Sequence, residues 1–105
     1  MIMSPALPVY ETAKAATHGL TRAMARELGR SNIRVNSLVP GAVITERQLK
    51  LWLDDAALRT IEASQALAGH VYPDDVARMA LFLAADDSAM ISAQQFVVDG
   101  GWASV

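Results

Sequence analysis

Apolar and small residues recur at helical spacing from Pro8 onward. Ala13, Ala16, Leu20, Ala23, Met24 and Leu28 form one stripe, with the small Thr17 on the same face. Pro8 suits a first helical turn, the intervening residues are strong helix formers, and Gly29 supplies a C-terminal stop. The pattern predicts one long helix over 8–29. After the turn Gly29-Arg30-Ser31-Asn32 the period changes from helical to alternating. Ile33, Val35, Ser37 and Val39 fall on one face and Arg34, Asn36 and Leu38 on the other, which predicts a strand ended by Pro40-Gly41. Residues 46–68 are mostly helix formers, and Asp54 and Asp55 are positioned to cap and split them into two short helices. This stretch reads as a mobile insertion. Pro73, Asp74 and Asp75 open another helix through about Ala85, with Val76, Ala77, Ala80, Leu81 and Ala84 as its apolar stripe. Gln95 to Asp99 then reads as a short buried strand closed by Gly100-Gly101. The order helix, strand, helices, helix, strand is that of an α/β half-sheet with a crossover.

Composition narrows this picture. The 105 residues are 52% apolar and 19% charged, enough for one hydrophobic core and hardly for two, so a single domain with extensive burial is expected. The net charge of −2 and the scattered Lys and Arg give no basic stripe, which argues against a nucleic-acid partner. No apolar run approaches the ~20 residues needed to cross a bilayer, and the first residues do not form a secretory leader. The expectation is a cytoplasmic protein without membrane contact. With no cysteine and only His18 and His70, distant in sequence, no metal site is expected.

The candidate chemistry lies at the start of the first helix. Tyr10 and Lys14 are four positions apart, so they share a helix face with about 6 Å between their Cβ atoms. An ammonium beside a phenol stabilises the phenolate and eases proton exchange at that oxygen. In hydride transfer between a carbonyl and an alcohol a proton moves as well, and a positioned tyrosine typically contributes ~100- to 10,000-fold. The same spacing also arises from a packed ring beside a solvated amine, and the two residues alone leave both readings open.

The flanking chain adds more. The run "YETAKAATHGLTRAMARELGRSNIRVNSLVPGAVIT", the segment "PDDVARMALFLAADDSAMIS" and the ending "ISAQQFVVDGG" closely resemble the short-chain dehydrogenase/reductase family, over essentially the whole chain. That family's hallmark is Tyr-x-x-x-Lys on a helix beside a Rossmann sheet. The resemblance implies an α/β fold: the C-terminal part of a Rossmann-like, doubly wound parallel sheet without its N-terminal dinucleotide-binding half. It implies one partial domain over 1–105, with a catalytic helix at 8–29, a substrate-lid region at 46–68 and a terminal helix and strand at 73–101. It also implies NAD(P)-dependent hydride transfer on a small alcohol or ketone, a sugar or polyol among the options. Tyr10 would be the general acid/base. Lys14 would ease loss of its proton and bind the nicotinamide ribose hydroxyls. The backbone at Pro40, Gly41 and Val43 and the Thr45 hydroxyl would hold the nicotinamide carboxamide of NAD or NADP. Pro40-Gly41 as a plain strand-ending turn, and Thr45 as the N-cap of the helix after it, stay open beside these roles. Trp52 either lines the substrate pocket or packs with Leu49 and Leu53.

Two of the family's features have no counterpart in these residues. No Gly-rich turn follows a first strand to receive a pyrophosphate. The carbonyl-polarising serine would lie upstream of Met1, and Ser4 is too close to Tyr10 to match it. The expectation is therefore an incomplete oxidoreductase, or a truncated and catalytically inactive relative acting as a folded oligomer or partner-binding module. The hydrophobic strand edge and helix face left uncovered imply a homo-oligomer, with helix 73–85 and strand 95–99 in the contact.

Overall fold

The computed structural model describes residues 8–51 and 53–102. Ser4 and Trp52 lie outside the described residues, so neither expectation about them is taken further. The elements follow the order α1 (Pro8–Leu28), β1 (Ser37–Pro40), α2 (Glu46–Leu51), α3 (Asp55–Ser64), α4 (Pro73–Ala84) and β2 (Gln95–Val98). β1 and β2 pair in a two-stranded sheet. The Ser37 N–H donates to the Gln94 carbonyl and the Gly41 N–H to the Val98 carbonyl, both at 2.9 Å. The register advances in the same direction on both strands, so the pair is parallel, and α2, α3 and α4 make the connection that parallel strands require.

The chain resolves into two compact units. Residues 8–38 with 81–96 form one, and residues 39–80 with 97–102 form the other.

In the first unit α1 ends as its composition predicts, but the stop is not Gly29. A 3-10 turn spans Gly29–Ser31, and Asn32, at φ 61°, takes the left-handed position and donates its N–H to the Gly29 carbonyl at 2.9 Å. Asn visits this region more readily than most side chains because its short amide bonds locally. The buried flank of α1 also differs from the expected stripe. Thr21 and Ala25 are buried, whereas Leu20 is 59% exposed and Met24 39% exposed. The packed face is turned by one residue, about 100°, from the apolar stripe.

The expected strand at 33–39 forms only from Ser37. Upstream, a different set of bonds replaces the ladder. Ser92 Oγ accepts from the Val35 N–H at 3.1 Å, the Val35 carbonyl accepts from the Ala93 N–H at 2.8 Å, and the Asn36 amide bonds the Ile91 carbonyl and the Gln94 N–H. Ala93 sits at φ 62°, which breaks the regular repeat opposite these residues. β2 alternates between exposed and half-buried and is not the buried strand its apolar run implied.

The first unit is closed by polar contacts. Arg34 Nη1 donates to the Leu83 carbonyl and to Ser88 Oγ, both at 2.8 Å, and Nη2 reaches the Ala85 carbonyl at 3.4 Å. Leu83 lies in the last turn of α4, whose carbonyls lack intrahelical partners, and a cation is favoured there. Ser88 is fully buried, its hydroxyl 3.0 Å from the carbonyls of both Leu83 and Ala85.

The second unit has an apolar centre, with Ile44, Ile61 and Val71 buried. Asp54 caps α3, its Oδ1 accepting from the Ala57 N–H at 2.8 Å. α4 opens at Pro73 with the Tyr72 N–H bonded to Asp75 Oδ2 at 2.8 Å, the N3 half of a capping box. No described residue of α4 is buried. Val76, Met79 and Leu83 are half-buried, while Leu81, part of the expected stripe, is 70% exposed.

Candidate active site

Tyr10 and Lys14 stand one turn apart on α1, within its first two turns. Their helix forms because the segment is rich in residues that lose little freedom in it, and the Thr12 and Thr17 hydroxyls, which do not drive helix formation, donate to the carbonyls four residues back. The Lys14 ammonium lies 5.4 Å from the centre of the Tyr10 ring, inside the range of a cation–π contact. Tyr10 is 37% exposed. Among the described residues no side-chain hydrogen bond occupies the Tyr10 hydroxyl or the Lys14 ammonium. The two residues singled out by spacing are therefore side by side with their polar ends free.

The remaining candidate residues form one continuous loop in the second unit. Pro40 closes β1, where its missing N–H costs no ladder bond. Gly41 donates its N–H to the Val98 carbonyl at 2.9 Å. A Cβ at Gly41 would fall 2.5 Å from the Asp99 Cβ and 2.8 Å from its Cα, so the close approach of the two backbones demands glycine here. Val43 pairs with Val71 in a parallel bridge, carried by the Ile44 N–H donating to the Val71 carbonyl at 2.8 Å. Val43's own N–H and carbonyl have no geometric backbone partner among the described residues. Thr45 does cap α2, because its Oγ1 accepts from the Gln48 N–H at 3.2 Å. A hydroxyl holds one proton and two lone pairs, so that bond leaves the Thr45 proton available to donate. The loop thus presents a free backbone N–H, a free carbonyl and a free hydroxyl proton within three residues.

Sequence reasoning missed the residues that fix this loop. Val71 and Asp99 are its supports, and Val71 carries no local signal. Asp99 had one, since the Asp-Gly-Gly run marks a turn that must pack closely against something.

Comparison with known proteins is consistent across the chain. A family model described as enoyl-(acyl carrier protein) reductase matches residues 1–103. The probable galactose dehydrogenase GalD of Rhizobium meliloti (strain 1021) is 43% identical over 101 residues, covering 96% of this chain and 40% of the relative. The D-xylose 1-dehydrogenase of Caulobacter vibrioides (strain NA1000 / CB15N) is 47% identical over 96 residues, covering 91% and 38%. Among solved structures, 4-hydroxyisoleucine dehydrogenase complexed with NADH superposes with a TM-score of 0.82 at 35% identity, over 98% of this chain and 41% of that one. The chain spans about 40% of the length of the curated relatives it matches. Its parallel α/β architecture is part of a Rossmann-like fold. No described helix is long and apolar enough to cross a membrane.

Proposed function

Because this chain belongs to the short-chain dehydrogenase/reductase family, we propose that it carries the catalytic and substrate-side residues of an NAD(P)-dependent oxidoreductase acting on a small alcohol or ketone. The similarity to galactose and D-xylose dehydrogenases favours a sugar or polyol. The observation that carries the proposal is the Tyr10–Lys14 pair, adjacent on one helix face with no side-chain hydrogen bond on either polar end among the described residues.

The donor set of the Pro40–Thr45 loop fits a carboxamide. Such a group offers N–H donors and a carbonyl acceptor, and the Val43 carbonyl, the Val43 N–H and the Thr45 proton complement it. When bound, the nicotinamide supplies or accepts the hydride. The protein residues handle the rest of the balance. In reduction, as the hydride reaches the carbonyl carbon, the Tyr10 hydroxyl gives its proton to the carbonyl oxygen, and in oxidation it takes the proton back. Lys14, beside the ring, offers ammonium protons to ribose hydroxyls. Pro40 and Gly41 set the course of the loop that holds the carboxamide.

The exposed Leu81, Phe82 and Val97 support a homo-oligomer that covers α4 and β2. Size-exclusion chromatography with light scattering tests this, and a stable monomer at micromolar concentration removes it.

The test of the catalytic reading is titration of the protein with NADH and NADPH by fluorescence or calorimetry, followed by turnover with aldose and polyol substrates. Tyr10→Phe is expected to leave coenzyme binding intact and lower turnover by ~100-fold or more. Turnover unchanged by Tyr10→Phe would refute the role of Tyr10. The exposed apolar side chains of α4 and β2 favour a second reading, a folded partner-binding chain without catalysis. That reading predicts no coenzyme binding at millimolar concentration and capture of a full-length relative in a pull-down.

A further inference from the structure

We propose that the turn Asp99–Gly101 is a positioning device that couples the exit of α3 to the Pro40–Gly41 loop, so that movement of the α3 end is transmitted to the loop's backbone. The proposal rests on the reading of that loop as the carboxamide cradle.

Three sets of contacts converge on this turn. On one side, Gly41 donates to Val98 at 2.9 Å and its α-carbon has no room for a side chain against Asp99. Within the turn, Asp99 Oδ1 accepts from the Gly101 N–H at 2.9 Å, which fixes the carboxylate and the backbone together. On the other side, the segment leaving α3 is stitched to Gly100, Gly101 and the next residue, Trp102. The Ala66 N–H donates to the Gly101 carbonyl and the Leu67 N–H to the Gly100 carbonyl, both at 2.9 Å, and Gln65 forms an antiparallel bridge with Trp102.

The turn has no slack. Gly100 and Gly101 lie at φ 67° and 76°, where other residues are strained. A Cβ on Gly100 would fall 2.8 Å from Gln65 Nε2, and one on Gly101 would fall 2.9 Å from the Ala66 Cβ. Gln65 is itself held, its Nε2 donating to the Gly69 carbonyl at 2.9 Å. Bonded on both flanks, and with no room for a side chain at either glycine, the turn has little space in which to absorb a displacement. Asp99 and the two glycines are therefore positioning residues. They act through Gly41.

The experiment is amide hydrogen exchange on the full chain with two variants, Gly101→Ala, which places a Cβ against Ala66, and Asp99→Ala, which removes the acceptor without adding bulk. In both, the amides of Ala66, Leu67 and Gly41 are expected to exchange faster together, by about tenfold, the equivalent of one hydrogen bond lost from a local opening. The amides of Ile33 and Ala93, which bond within the other unit, keep their rates. Acceleration at Ala66 and Leu67 with Gly41 unchanged overturns the coupling, as does a uniform rise across all amides. NADH titration of the unaltered protein runs alongside. Failure to bind NADH refutes the cradle reading, whereas the exchange data still decide whether the turn couples its two flanks.

Discussion

The two compact units solve the same problem, fixing a chain that returns from far along the sequence, by opposite means. In the unit of residues 8–38 and 81–96, the long-range tie is a charged side chain. Arg34 spans to Leu83, Ser88 and Ala85, and the best-buried side chain there is a serine. In the unit of residues 39–80 and 97–102, the tie is the absence of side chains, with Gly41, Gly100 and Gly101 letting backbones touch around a small aliphatic centre. A polar tie depends on hydrogen bonds whose loss is graded. A glycine tie depends on excluded volume and fails abruptly. The largest predicted effect therefore belongs to the second unit. Gly41→Ala forces its new Cβ into Asp99 and is expected to destabilise the protein by about 3 kcal/mol, the upper end for overpacking, measured by urea denaturation. A loss below about 0.5 kcal/mol would mean that Asp99 gives way and that the contact is not tight.

Arg34 provides the matching perturbation of the first unit. Arg34→Met keeps the aliphatic stem and removes the donors to Leu83, Ser88 and Ala85, and hydrogen bonds to a charged group set the expected cost at about 2 kcal/mol. Because Ser88 accepts from Arg34, the two residues act as a unit. Ser88→Ala is expected to cost less in the Arg34→Met background than in the unaltered protein. Additive losses in that double-mutant cycle would show that the arginine and the serine are independent.

A smaller effect separates capping from either tie. Asp54→Ala removes the acceptor for the Ala57 N–H and should cost about 1 kcal/mol, confined to faster amide exchange in α3. Exchange that rises equally in α1 would contradict a local role.

What was legible in the sequence follows the same division. Elements built from local periodicity were readable: α1 from Pro8 to Leu28, the break at Asp54 and the opening of α4 at Pro73 all lie where residue type and spacing put them. Burial was not readable. A helix's apolar stripe says which face would gain from packing, whereas Thr21 and Ala25 are buried because of what packs beside them. Residues 33–36 alternate like a strand, yet Val35 and Asn36 take their bonds from Ser92, Ile91, Ala93 and Gln94, nearly 60 positions away, and local pattern carries nothing about such partners. For the candidate site, spacing put Tyr10 and Lys14 on one face, and the family resemblance marked Pro40, Gly41, Val43 and Thr45. The free amide of Val43 depends on Val71, and the demand for glycine at 41 depends on Asp99. Those are facts of packing.

The smallest prediction tests whether surface charge contributes to either unit. Arg78 lies 3.3 Å from Asp75 one turn away, with the two side chains 72% and 40% exposed. Solvent screens such a pair, and holding two flexible side chains together costs entropy, so Arg78→Ala is expected to cost no more than about 0.5 kcal/mol. Asp75 has a second task, because its other oxygen accepts the Tyr72 N–H at the start of α4. Asp75→Ala should therefore cost more than Arg78→Ala, by roughly the 1 kcal/mol typical of a lost cap, and its excess should persist in high salt where the ion pair is screened. Equal losses for the two variants, or an Asp75 effect that vanishes with salt, would place the stabilisation in the ion pair and not in the cap.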